Sequence, residues 1–93
     1  MGVHDIRSQA ARTDTGVTLR SVDRETMRVE YAGHGMTLPV DRGMESCGFY
    51  LTATPHWDDG SAVPSEDLAV VKEAIVEIQR HWGFRADFLT LEI

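Results

Sequence analysis

The chain has 93 residues, 42% of them hydrophobic, and a formal net charge of −6. That length fits one domain, and the apolar fraction is that of a folded protein, which argues against wholesale disorder. No apolar run approaches the roughly 20 residues of a spanning helix, and the opening residues have no apolar signal-like core. Cys47 is the only cysteine, which excludes an internal disulfide and an all-cysteine zinc site. The expectation is a soluble, cytoplasmic protein of a reducing compartment.

The charge is uneven. Residues 1–43 hold six acids and six arginines, whereas residues 44–93 hold nine acids against Lys72, Arg80 and Arg85. An acidic surface repels nucleic acid and anionic membrane and attracts basic partners. Mild acidity also serves solubility alone.

In chain order, residues 1–16 are polar and weakly patterned, and are expected to form a flexible arm with at most one helical turn around Ile6–Ala11. Val17–Val22 reads as a short strand. Met27-Arg-Val-Glu-Tyr31 alternates apolar and polar residues, the mark of an antiparallel strand with one wet face. Gly33 and Gly35 supply a turn, and Met36–Val40 alternates again, completing a hairpin. Pro39 cannot donate to a ladder, so its strand is expected at an edge, or bulged. Cys47–Ala53 is a further strand, and residues 54–64 form a long loop.

Ser65 has the chemistry of an N-cap, and Glu66 and Asp67 follow at the positive end of the helix dipole. Leu68, Val71, Ile75, Ile78 and Trp82 recur at spacings of three and four, so the pattern predicts an amphipathic helix over about 65–82, stopped by Gly83. Phe84–Ile93 alternates in two phases, with a slip between Phe88 and Leu89 that suggests a bulge. The expected fold is α+β: a mostly antiparallel sheet of about five strands, in the order β-β-β-β-α-β, with one helix on one face, formed by residues 17–93 as a single domain. Its small core leaves room for a homodimer joined at a sheet edge.

Candidate chemistry is sparse. Cys47 heads a strand without a basic neighbour, so a packed thiol is favoured over a nucleophile, although His56 and Asp58 could complete a Cys–His–Asp set. His4, His34, His56 and His81 show no ligand spacing, and Asp58-Asp59-Gly60 is an ordinary turn, so no metal, cofactor or catalytic residue is expected. Tyr50, Trp57, Asp58, Asp59, Glu66 and Asp67 fall in a strand end, a loop and a helix start that are consecutive, and could form one partner-binding surface for a basic protein. The alternative is that Trp57 pins the loop onto the helix and the acids are simply solvated.

The Met27–Tyr31 strand, the glycine turn, Gly48-Phe-Tyr-Leu51, Trp57 before Pro64-Ser-Glu-Asp67, and Trp82-Gly-Phe84 before a last strand together carry a resemblance. Over residues 17–92 the chain resembles a family of small immunity proteins of bacterial polymorphic toxin systems. The resemblance implies a protein that binds and silences a cognate toxin, without catalysis or cofactor. Other readings are a structural adaptor acting as a homodimer and a small enzyme using Cys47 or His56.

Overall fold

The computed structural model describes residues 2–90. The strands are β1 (Val3–Arg7), β2 (Ala10–Thr13), β3 (Thr18–Ser21), β4 (Thr26–Tyr31), β5 (His34–Arg42), β6 (Ser46–Leu51) and β7 (Arg85–Thr90), with α1 (Ser65–His81) between β6 and β7. The class is α+β, with one helix and a mostly antiparallel sheet. Seven strands replace the expected five or so, and they lie side by side in chain order. Only β6 and β7 run parallel, because α1 carries the chain back before β7 begins.

The two additional strands come from the segment expected as an arm. Ser8 and Gln9 form a tight turn, Gln9 with φ of +62°, and β1 folds back on β2 with a register shift between Asp5 and Arg7. Side-chain contacts pin this hairpin. Asp5 Oδ2 lies 3.0 Å from His81 Nε2, and Trp82 Nε1 donates to Asp5 Oδ1 at 3.3 Å. His81, which the sequence offers only as a residue suited to the helix C-terminus, thus ties the helix end to the first strand.

The alternation in β4 works as expected. Met27 and Val29 are buried while Arg28 and Glu30 point the other way. The hairpin turn is shorter than the two glycines suggested: Ala32 (φ +52°) and Gly33 (φ +82°) make the whole bend, and β5 resumes at His34. Two consecutive positive φ values are the requirement of a two-residue hairpin. Gly35 lies within the strand, where a Cβ would collide with the Arg28 guanidinium.

Pro39 is not on an outer edge. It marks a handover within β5, whose first part pairs with β4 and whose residues Val40–Arg42 pair with β6. Val40 N donates to Glu25 O, so the alternating geometry aims the nitrogen of Pro39 at β6. With no proton on that nitrogen, the β5–β6 ladder stops there. The two strands then part around a cleft of about 220 Å³ floored by Leu38 and Leu51.

The helix covers one face. Val71, Ala74, Ile75 and Ile78 meet Leu19, Val29, Leu38 and Phe49 in a continuous core. Pro64 occupies the N-cap position and no side chain caps the helix, so Ser65 is its first residue rather than its cap. Gly83 closes the other end with φ of +92°. The β6–β7 register runs unbroken through Phe88 and Leu89, without the expected bulge. Leu91 and Ile93, which the two-phase pattern invoked, lie outside the described residues.

Two stability outcomes follow. Ile75 is fully buried, so Ile75→Ala should cost about 2–5 kcal/mol in denaturant unfolding. Ala32→Asn should instead stabilise by about 0.5–1 kcal/mol, because Asn tolerates the left-handed backbone better than Ala.

Candidate functional site

The loop between β6 and α1 folds back onto the β4–β5 hairpin, and the residues singled out in the sequence hold it there. An isolated bridge joins His56 and Ala62, with a turn at Trp57–Gly60 between them. Asp58 N donates to Gly35 O at 2.8 Å, which occupies a carbonyl of β5 on the side that β6 has left. Arg28 Nη1 donates to Asp58 Oδ2 at 2.7 Å, across the space that Gly35 leaves open. This carboxylate holds the guanidinium above its usual pKa. Trp57 stacks on His34 with ring centroids 5.4 Å apart.

Asp59 completes the clamp. It accepts from the Ser61 hydroxyl and from Ser61 N, and its other oxygen lies 3.0 Å from His34 Nδ1. These bonds, led by the Ser61 hydroxyl, hold its carboxyl below the usual carboxylate range. Asp5 and Asp14 are lowered too, chiefly through their hydrogen bonds to His81 and His4 respectively.

The six residues expected on one partner-binding surface are therefore divided. Trp57 is only 4% exposed and cannot serve as a surface anchor. Its indole is covered by the loop it organises, since a large apolar ring is more stable in the core than in water. Asp58 and Asp59 are exposed but engaged within the chain. Tyr50 alternates with the buried Phe49 and Leu51, so it lies on the sheet face opposite the helix. Glu66 and Asp67 begin the helix on the other face and have no ion-pair partner among the described residues.

The helix adds carboxylates that the sequence reading left out of the surface. Glu66, Glu73 and Glu77 are seven and four residues apart, and at about 100° per residue they fall within about 20° of one line. They form a stripe off the buried face of Val71, Ala74, Ile75 and Ile78, with Arg80 closing the same line at the helix end. The helical period carries the signal, since Glu73 and Glu77 fall off the apolar stripe in the sequence.

Cys47 and His56 line separate clefts. The thiol faces a cavity of about 130 Å³ with Met27, Gln79 and Trp82, whereas His56 borders the cleft beside Pro39. Cys47 is 3% exposed, and burial raises its thiol pKa. Gln79 is also buried, its amide nitrogen 3.8 Å from Met27 Sδ. Among the described residues no three His, Cys, Asp or Glu side chains gather as a metal site, and no helix is long and apolar enough to cross a membrane. No family model, curated protein or solved structure matches the chain.

The thiol's setting predicts its reactivity. Cys47 should react with a thiol reagent at neutral pH far more slowly than it does in denaturant. The carboxylates predict an acid response. A group whose pKa is lower folded than unfolded contributes stability that is complete above its unfolded value and lost as pH falls through the folded one. Stability should therefore drop as pH falls below about 4. In denaturant titrations at successive acid pH values, Asp59→Asn should flatten that drop.

Proposed function

We propose that this chain is a non-catalytic binding protein of the immunity type, which neutralises a cognate bacterial toxin domain in the cytoplasm of the cell that makes both. The observation that carries the reading is the line of Glu66, Glu73 and Glu77 on the outward side of α1, at the start of which Asp67 also sits. A fixed row of carboxylates on a rigid helix suits a basic cleft, such as that of a nuclease, because opposite potentials speed encounter and fix register. Since Asp58, Asp59 and Trp57 are occupied in holding the loop, the reading rests on the helix acids rather than on an aromatic anchor. The burial of Cys47 and its separation from His56 favour binding over cysteine chemistry.

The test is titration of the protein against a toxin domain encoded beside it. Glu66→Lys combined with Glu73→Lys and Glu77→Lys should weaken binding by at least about tenfold and reduce its salt dependence. An unchanged dissociation constant would remove the helix from the interface. Failure of the protein to protect cells expressing the neighbouring toxin domain would overturn the immunity reading itself.

A further inference from the structure

The sheet face opposite α1 carries charge of the other sign. The registers Arg7↔Ala10, Ala10↔Arg20, Arg20↔Arg28 and Arg28↔Thr37 place Arg7, Arg20 and Arg28 in one row across β1, β3 and β4. Arg12 stands in the adjoining row, opposite Thr18. These arginines sit on the face turned away from Leu19, Met27 and Val29, which belong to the core under the helix.

Arg20 and Arg28 are directly opposite each other, and like charges in that position destabilise a sheet. The chain relieves only one of them. Arg28 has Asp58 at 2.7 Å and Glu30 at 3.8 Å. Arg7, Arg12 and Arg20 have no carboxylate within ion-pair distance among the described residues. In a chain of net charge −6, a row of uncompensated cations is a place for an anionic surface to dock.

The molecule supplies a fitting one on its opposite side. The Glu66–Glu77 line covers 11 residue steps, or about 16 Å of helix axis. From Arg7 to Arg20 there are two inter-strand steps, or about 10 Å, so the helix line is long enough to cover the unpaired arginines. We propose that the arginine row receives α1 of a second copy of this chain, laid across the strands with its glutamates against Arg7, Arg12 and Arg20. The contact is head-to-tail: each copy donates its helix and accepts on its sheet. Such an interface does not close on itself and builds short stacks that lengthen with concentration. Because the pairs are solvent-exposed, the association is weak and salt-sensitive. A basic partner that takes the same glutamates dissolves the stack, yet the stacking itself depends on this chain alone and stands apart from the toxin-binding reading.

Sedimentation velocity over rising protein concentration at low ionic strength tests it. The wild-type weight-average sedimentation coefficient should rise with concentration, and return to the monomer value when salt is raised about tenfold. Arg7→Glu/Arg12→Glu/Arg20→Glu and, separately, Glu66→Lys/Glu73→Lys/Glu77→Lys should each stay monomeric, and an equimolar mixture of the two should associate again. A wild-type chain that is monomeric throughout overturns the proposal. So does association that persists after reversal of the arginine row, which would assign it to a sheet edge. A monomer that binds single-stranded oligo(dT) through the same arginines would give the row to nucleic acid, and also overturns it.

Discussion

A helix of 17 residues can bury its apolar stripe against only one side of a sheet, and here it is the sole helix among the described residues. Leu19, Val29, Phe49, Ile75 and Ile78 reach complete burial on that side. The other side must then be made of groups that are stable in water, and alternation along each strand delivers them: Thr18, Arg20, Arg28, Glu30, Thr37 and Tyr50. The division of the molecule into an acid-bearing helical layer and an arginine-bearing sheet layer is a consequence of this one-sided coverage. Both of the surfaces considered for binding arise from it.

Pro39 sets a second constraint. By ending the β5–β6 ladder, it leaves part of β5 without a strand beside it, and backbone groups so exposed need partners. The loop after β6 answers this by bringing Asp58 N to Gly35 O. Trp57 under the loop, Asp58 on Arg28 and Asp59 beside His34 all follow from the same repair. Residues that look like an interface when read in line are thus the fastening of a gap in the sheet. The exposed ion pairs in this fastening contribute little individually; the buried indole contributes most, through the area it removes from water.

What could be read from the sequence was whatever repeats locally. The helix was evident because Leu68, Val71, Ile75 and Ile78 keep a period near 3.6, with Pro64 before and Gly83 after. The β4–β5 hairpin was evident because Met27, Val29 and Tyr31 alternate with charges. β1 was not, because the edge strand Val3–Arg7 is exposed at four of its five positions and has no apolar face to register a period; nor was β2, whose buried Ala10, Ala11 and Thr13 are too small or polar to mark one. The place of β1 is set by Asp5 meeting His81 and Trp82 more than 70 residues away. The site was less legible than the fold. Whether Asp58 is free or paired depends on Arg28, 30 positions earlier, and the arginine row exists only through the registers of four strands. Neither leaves a mark in local spacing.

The strand order also bears on how the chain is made. Because β2 to β6 each pair with the strand just before them, the sheet can grow hairpin by hairpin as the polypeptide leaves the ribosome. Until α1 emerges, however, that nascent sheet has nothing over Leu19, Val29 and Phe49, and its greasy side faces water. Ribosome stalling or premature termination anywhere between Leu51 and the helix would release a sticky, lidless intermediate, a natural client for chaperones and proteases. The last third of the chain thus decides whether the product of synthesis is a tractable protein or an aggregate.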